Sequence, residues 1–355
     1  MSTYDRVADL PLTIEDYALE GLARTVSSGF NRQTTIFHLR GRGEEGLGED
    51  VTYDETEQVT QQQRGPEHPL AGEWTFGEFS EHVGALDLFP GGAPRMDTFR
   101  HYRRWGVESA ALDLALRQAG TSLSELLDRP LEPVRFVVST RMGEPPTIGP
   151  VTRRLARYPN LRFKLDATPD WDDELIDGLV ESRAVESIDF KGAYKGTPVE
   201  TDTDPAFYRR IAETFPDAWL EDPDLDGAEA REALRPFEDR ITWDAPIHSV
   251  QDILDRPVLP RTVNLKPSRF GSVRALFDAY DFCAERGMGA YGGGQYELGV
   301  GRGQIQYLAA LFHADAPNDI APAGYDALDP GPGLPPSPLE PDAEPVGFRR
   351  RSPSP

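Results

Sequence analysis

The chain has 355 residues and a formal net charge of −23, from 37 Lys and Arg against 60 Asp and Glu. This length can form a full barrel plus a smaller domain, while so acidic a surface argues against nucleic acid or an anionic membrane as a partner. A cytoplasm with very high salt would screen the repulsion between the acids. We therefore expect a halophilic source, with a generally acidic protein as the alternative.

The chain has a single cysteine, Cys283, which excludes an intramolecular disulfide and a cysteine-cluster metal site. Residues 1–10 lack the basic region followed by an apolar run that is typical of a signal peptide. No stretch approaches the ~18 apolar residues that a membrane span needs. We therefore expect a cytoplasmic protein with no membrane partner.

Residues 1–133 are predicted to form an N-terminal α+β domain. Within it, residues 34–40 alternate like a half-buried strand, and the glycine-rich residues 41–48 predict a turn that leads into a returning strand. Residues 54–72 are polar and predict a loop. Residues 105–116 predict a helix whose small side chains permit close packing on a neighbour.

Residues 134–328 alternate regularly between strand and helix patterns. Residues 134–139 and 161–166 are apolar runs of strand type, and residues 172–181 read as the helix that follows the second run. Alternation at this period is typical of a parallel sheet. The pattern holds about seven or eight units, which favours a compact barrel over an open sheet. The predicted fold class is therefore α/β, a modified (β/α) barrel of the TIM type with an N-terminal α+β capping domain.

Residues 329–355 form a third region that is rich in proline. Proline-rich segments of this kind are usually disordered or extended because they cannot build a packed core. The composition therefore predicts a disordered tail.

Four strand-like segments of the barrel region carry a charged residue near their C-terminal end. These residues are Asp189, Glu221, Asp244 and Lys266, at successive separations of 32, 23 and 22 residues. In a parallel barrel the C-terminal ends of the strands converge on one mouth. Three carboxylates brought together there repel one another unless a cation neutralises them. Oxygen ligands favour a hard ion, so we expect Mg²⁺, with Mn²⁺ as the alternative.

Two lysines flank this predicted metal site. Lys266 comes from the strand after Asp244, and Lys164 reaches the mouth from the other side. Each lysine could exchange a proton with the α-carbon of a carboxylate substrate, since a metal ion stabilises the enediolate that forms. Burial and nearby cations would lower a lysine pKa towards the working range.

Other interpretations of these charged positions remain open. Each carboxylate could instead cap a helix or pair with a lysine. Asp222 directly follows Glu221, but the pleat of a strand would point it away, which favours Glu221 as the ligand. Asp166 would point the same way as Lys164 and is a rival for a position in the mouth.

This series resembles the enolase superfamily. In its muconate-cycloisomerase-like branch, metal-binding Asp, Glu and Asp lie between two catalytic lysines, as Lys164, Asp189, Glu221, Asp244 and Lys266 do along this chain. Residues 265–271, Leu-Lys-Pro-Ser-Arg-Phe-Gly, are similar to the sixth-strand motif of o-succinylbenzoate synthases. The resemblance covers about residues 10–322. It implies a capping domain, a barrel, Mg²⁺ and a small carboxylate substrate, and members are often homo-oligomers.

The sequence departs from the family pattern at several positions near the predicted site. Arg162 stands in the first place of a Lys-x-Lys motif, and Lys191 stands where an Asp-x-Asn pattern is common. Residues 291–297 replace the serine-rich stretch expected of a synthase, and Gln295 and Glu297 within them are candidates to contact the substrate. We predict that these four residues bind the substrate: Arg162, Lys191, Gln295 and Glu297.

The predicted function is therefore Mg²⁺-dependent abstraction of a proton α to a carboxylate, with Lys164 and Lys266 on opposite faces. The outcome could be an o-succinylbenzoate-synthase-like dehydration, a cycloisomerisation or an epimerisation, so the enzyme would be a lyase or an isomerase. One alternative is a catalytically altered barrel that serves as a binding protein. Another is a metal-dependent ammonia-lyase on a barrel.

Overall fold

The N-terminal part of the chain is an antiparallel sheet packed on one long helix. The computed structural model describes residues 2–25, 31–197 and 199–351. Strands β2, β3 and β4 form a consecutive antiparallel sheet, and β1 pairs with β5. The elements of this part are α1 (Asp5–Ala8), β1 (Pro11–Ile14), β2 (Asp16–Thr25), β3 (Asn31–Gly41), β4 (Glu44–Asp50), α2 (Glu55–Arg64), β5 (Gly72–Thr75), α3 (Phe76–Ala85), α4 (Thr98–Gln118) and α5 (Leu123–Leu127).

The β3–β4 hairpin has a shorter turn than its glycines predict. Only Arg42 and Gly43, both with positive φ, separate the two strands, as in a two-residue hairpin loop. The next glycines, Gly46 and Gly48, lie within β4 against α4, where an added Cβ would collide with backbone oxygens of the helix. These glycines therefore serve a close strand–helix contact, which a local turn pattern does not reveal.

The prediction of a loop over residues 54–72 is wrong for its first half, which forms α2. The Asp54 side chain accepts a hydrogen bond from Glu57 N and so caps this helix. Gln58 is buried and bonds to Thr35 on β3. The helix is polar because its inner face is held by side-chain amides, whereas the apolar pattern that identifies most helices is absent.

The C-terminal part is a barrel of parallel strands. Strands β6 (Val138–Thr140), β7 (Phe163–Asp166), β8 (Val185–Asp189), β9 (Trp219–Glu221) and β10 (Ile241–Thr242) form one parallel sheet, and β11 (Thr262–Asn264) pairs in parallel with β12 (Gly289–Tyr291). A hydrogen bond from Asn264 N to Trp243 O joins the two groups. Residues 318 and 319 bridge Phe136 on one side and Gly293 on the other. The eighth position is thus filled by a short segment, and the predicted barrel is confirmed.

Helices connect and cover the barrel strands. They are α6 (Gly149–Arg157), α7 (Asp173–Ser182), α8 (Pro205–Thr214), α9 (Ala228–Leu234), α10 (Val250–Leu254), α11 (Pro267–Phe270), α12 (Val273–Arg286) and α13 (Val300–Phe312), with 3₁₀ helices at Arg235–Arg240 and Ala323–Asp326. Within the described residues, no helix is both long and apolar enough to cross a membrane.

The described part of the proline-rich tail, residues 329–351, differs from the disorder that its composition predicts. It contains no helix or regular strand, but Leu339 pairs with Val134 through two backbone hydrogen bonds. Phe348 is buried, and Arg349 forms an ion pair with Asp113 of α4. A few apolar and charged side chains therefore fix an extended segment to the surface of the body.

Candidate metal centre at the barrel mouth

Three carboxylates meet where the central barrel strands end. Asp189 and Glu221 are paired in register at the ends of β8 and β9, and Asp244 lies two residues beyond β10. All three are fully buried, and one oxygen of each lies within 4.8 Å of the others. The parallel strands thus bring these acids together, as their spacing predicted.

Lys164 and Lys266 lie against the same carboxylates. Lys164 Nζ, on β7, contacts Glu221 and lies 3.1 Å from Asp189. Lys266 Nζ donates a hydrogen bond of 2.8 Å to Asp244 Oδ2. The acids converge on one point and also pair with lysines. The lysine pairing that the sequence left open is therefore present, together with the convergence that a metal site would need.

The electrostatics of this group follow from burial and close opposite charge. Burial lowers the pKa of Lys164, but Glu221 and Asp189 outweigh it and raise the pKa well above its usual value. Burial raises the pKa of Asp244, but Arg269 and Lys266 outweigh it and hold the pKa well below its usual range. Lys164 is therefore protonated and Asp244 is ionised at neutral pH.

Asp222 is not one of the three converging carboxylates. Its two carboxylate oxygens accept hydrogen bonds of 2.8 Å from the backbone N–H groups of Asp244 and Ala245. Burial, followed by the charge of Asp244, raises the pKa of Asp222 to about 7. Its role is to fix the backbone that carries Asp244.

Several residues that the sequence did not single out also contact the centre. Tyr291, at the end of β12, donates to Glu221, and Tyr194 donates to Asp244 Oδ2 at 2.9 Å. Arg269 lies 3.0 Å from Asp244 Oδ1, and Asp319, from the eighth position, lies 3.7 Å from Lys164. Arg269 lies in the 265–271 motif, which was a signal for it. Tyr291 opens the 291–297 stretch, which was a comparable signal, whereas Tyr194 had none.

Of the predicted substrate-binding residues Arg162 and Lys191, only Lys191 joins the charged group. Lys191 Nζ contacts Asp189 and lies 3.3 Å from Asp166, so it joins the charged group. The structure does not bring Arg162 there. Arg162 precedes β7, is exposed, and its guanidinium donates to Leu161 O. Arg162 therefore lies away from the mouth, since the strand's charged C-terminal end is several residues further on.

Gln295 and Glu297 are buried in the loop between β12 and α13. Gln295 Nε2 lies 3.4 Å from the hydroxyl of Tyr102, a residue of α4, and its backbone N–H donates to Glu297 Oε1. Glu297 Oε2 lies 3.7 Å from Arg302 Nε. Glu297 thus shapes its own loop, while Gln295 lies between that loop and the N-terminal part.

The β3–β4 hairpin holds this loop through two buried charges. Arg32 of β3 donates to five backbone carbonyl oxygens, those of Gln33, Val51, Thr52, Gln295 and Tyr296. Glu49 of β4 accepts from the backbone N–H groups of Leu298, Gly299 and Gly301, at the start of α13. A carboxylate at this helix end satisfies N–H groups that have no partner within the helix. We call this contact region, residues 295–301 with Arg32 and Glu49, the hairpin–loop junction.

The donor set at the mouth fits a hard divalent cation. It offers only carboxylate oxygens, which Mg²⁺ and Mn²⁺ prefer. Among the described residues, Asp244 Oδ1 accepts no hydrogen bond, although Arg269 lies beside it. The side chain of Lys266 packs closely against the backbone of Gly293, so that a Cβ at Gly293 would collide with it. The residues present could therefore hold a metal ion between two lysines.

Comparison with known proteins gives both a family and a fold. Residues 130–327 and 5–126 match the models described as the C-terminal and N-terminal domains of Domain of unknown function (DUF8230). An o-succinylbenzoate synthase of Geobacillus stearothermophilus is 26% identical over 232 residues, which cover 62% of this chain and 58% of that protein. An N-succinylamino acid racemase of an Amycolatopsis species is 28% identical over 240 residues, covering 64% and 63%. This chain thus spans less than two thirds of these relatives.

A solved structure confirms the fold. A member of the enolase superfamily from Listeria innocua aligns with a TM-score of 0.63 at 19% identity, covering 88% of this chain and 86% of that one. This likeness shows the barrel and N-terminal domain of that superfamily. Together with the relatives, it confirms the resemblance predicted from the five charged residues and the 265–271 motif.

Proposed function

This chain belongs to the DUF8230 family and has the enolase-superfamily fold, and on that premise we propose that it is a Mg²⁺-dependent enzyme that removes a proton α to a carboxylate. The observation that carries the proposal is the buried group of Asp189, Glu221 and Asp244 with a lysine on either side. A structural ion-pair network would need neither three converging acids nor two lysines from strands on opposite sides of them.

The three carboxylates would hold the ion, and the ion would supply Lewis-acid stabilisation of the negative charge that develops on the substrate. Lys164 and Lys266 would exchange the α-proton at their Nζ atoms, from opposite faces. A base must be neutral, and the carboxylates now keep Lys164 protonated. Once their charge is balanced, burial is the influence that remains, and it favours the neutral amine.

The hairpin–loop junction would determine which carboxylates fit. Gln295 lies between the loop and Tyr102 of α4, and Arg32 of the hairpin donates to its carbonyl oxygen, so the N-terminal part and the barrel would both shape the space beside the lysines. Among the relatives, one is named a synthase and another a racemase. Dehydration, cycloisomerisation and epimerisation are therefore all within the proposal, with a small carboxylate as substrate.

The proposal is tested by two measurements on the same protein. Titration calorimetry with Mg²⁺ and with Mn²⁺ should show one ion bound per chain, and Asp244→Asn should abolish it. Incubation in D₂O with a panel of N-acylamino acids and related succinyl carboxylates should show cation-dependent exchange of the α-proton by NMR. Ion binding without exchange on any substrate would favour the binding-protein alternative. Release of ammonia from a β-amino acid with a free amino group, added as a further substrate, would favour an ammonia-lyase.

A further inference from the structure

Lys191 is a third lysine at the centre, and the proposed proton transfer does not use it. Its side chain is about nine-tenths buried, its Nζ contacts Asp189 Oδ2, and its backbone N–H donates to Asp189 Oδ1 at 3.0 Å. Both oxygens of this proposed metal ligand are thus engaged by one residue. Lys191 also lies at φ 56°, a conformation that a non-glycine residue adopts only with strain.

Each of the three carboxylates has a lysine in contact with it, and Asp189 also lies 3.1 Å from Lys164. Lys164 contacts Glu221, Lys266 bonds to Asp244, and Lys191 contacts Asp189. Each carboxylate therefore has its own ammonium group, so the donor set is close to neutral without any added ion. A divalent cation approaching Asp189 would meet the positive charge of Lys191 directly.

A second acceptor for Lys191 lies within reach. Asp166 Oδ1 is 3.3 Å from Lys191 Nζ and takes part in no hydrogen bond among the described residues. The other oxygen of Asp166 accepts from Arg141 Nε at 3.1 Å, which holds the carboxylate in place. The ring of Tyr194, 4.7 Å from Nζ, lines the same space with a π face that also favours a cation.

We propose that Lys191 is a built-in counter-ion that competes with a divalent cation for Asp189 and moves onto Asp166 when the cation binds. The affinity for the cation then depends on the difference in free energy between Lys191 paired with Asp189 and Lys191 paired with Asp166. This inference rests on the proposed function, because it takes Asp189, Glu221 and Asp244 as the cation ligands. It gives Asp166 the role of receiving the displaced ammonium group.

Cation affinity in matched variants tests this role. Mg²⁺ and Mn²⁺ binding is measured by calorimetry at fixed ionic strength for the wild type, Lys191→Met, Asp166→Asn and Lys195→Met. Methionine keeps the length and the backbone strain of Lys191 while removing its charge. Lys195, about half exposed on the same loop and paired with Asp224 and Asp226, controls for a general loss of positive charge.

We expect Lys191→Met to bind the cation about tenfold more tightly, equivalent to about 1.4 kcal/mol. Asp166→Asn should bind it several-fold more weakly, because Lys191 then has only a neutral amide oxygen as its second acceptor, and Lys195→Met should match the wild type. The melting temperature without the cation, measured on the same variants, should be lower for Lys191→Met, since Asp189 then keeps only Lys164 as a counter-ion.

The outcomes separate this inference from the proposed function. Equal affinities for the wild type, Lys191→Met and Asp166→Asn would overturn the counter-ion role and leave the metal site standing. An equal gain in Lys195→Met would also overturn it, since the effect would then be one of net charge. Absence of binding in every variant would overturn the metal site and this role together. If Lys191→Met does not fold, the affinity of Asp166→Asn decides alone.

Discussion

The barrel mouth and the hairpin–loop junction both bury charged groups, but they satisfy them with different partners. In the mouth, Asp189, Glu221 and Asp244 contact lysine side chains. At the junction, Arg32 and Glu49 bond to backbone carbonyl and N–H groups. Backbone partners have fixed positions, whereas a lysine can leave one carboxylate for another. The comparison indicates that the junction has a structural role, whereas the charged side chains of the mouth can change partners.

The largest effect is expected from removing a lysine of the mouth. Lys266→Ala and Lys164→Ala should each lower α-proton exchange by about 10²- to 10⁴-fold if both lysines transfer protons, the range for general acid–base groups. The measurement is NMR exchange in D₂O at saturating Mg²⁺. Full activity in Lys164→Ala beside a dead Lys266→Ala would exclude a two-base epimerisation and leave a one-base dehydration.

At the hairpin–loop junction, removing the charged side chain of Arg32 should lower the stability of the fold. Arg32→Met removes a donor from five backbone carbonyls, of which Thr52 O is also bonded to Gln58 Nε2, and we expect a loss of at least about 3 kcal/mol in the free energy of unfolding. Urea unfolding measures it. Arg24→Met is the matched control, because Arg24 is exposed and lies opposite Arg32 in the β2–β3 register. Equal losses in the two variants would contradict a specific role for Arg32.

A smaller loss of stability is expected from Glu49→Gln. The amide places an NH₂ donor against the backbone N–H donors at the start of α13, which should cost about 1–2 kcal/mol. Glu44→Gln, exposed on the same strand, should cost almost nothing. Mg²⁺ affinity, measured by calorimetry, should stay within about twofold of the wild type because, among the described residues, Glu49 bonds to the start of α13 and not to the three carboxylates. A large change in Mg²⁺ affinity would contradict the view that the junction supports the fold without taking part in ion binding.

The smallest effect concerns pH and His313, which is buried where the barrel closes. Burial lowers its pKa to about 4, against about 6.5 in an unfolded chain. The unfolded state therefore binds more protons between these values, so the contribution of His313 to stability is complete above pH 6.5 and is lost as the pH falls towards 4. His313 Nδ1 lies 2.6 Å from Asn318 Oδ1, so this is a fixed polar contact like those of the junction.

Urea unfolding between pH 7 and pH 4.5 checks this expectation. The loss of stability on acidification should be less steep in His313→Gln, by at most about 1.4 kcal/mol per pH unit. His38→Gln, on a half-buried strand position beside Glu20 and Glu45, is the comparison variant. An unchanged slope in His313→Gln would show that His313 does not titrate with folding.

Much of the barrel and its charged mouth could be predicted from the sequence, because their patterns repeat along the chain. Apolar strands at a regular period place Asp189 and Glu221 at neighbouring strand ends, and parallel strands end at the same face. The same local logic failed at α2, whose inner face is polar, and at Gly46 and Gly48, whose small size serves a contact with α4. In the tail, a few side chains such as Phe348 outweigh a composition typical of disorder.

By itself, the sequence determined the α/β class, the convergence of three acids and the presence of two lysines beside them. Only the tertiary structure decided which cation lies on which carboxylate, that Tyr194 and Tyr291 bond to the centre, and that Arg32 and Glu49 hold residues 295–301. The reason is physical. Periodicity fixes which face of an element is buried, but the partner of a buried charge is set by groups that come from distant parts of the chain.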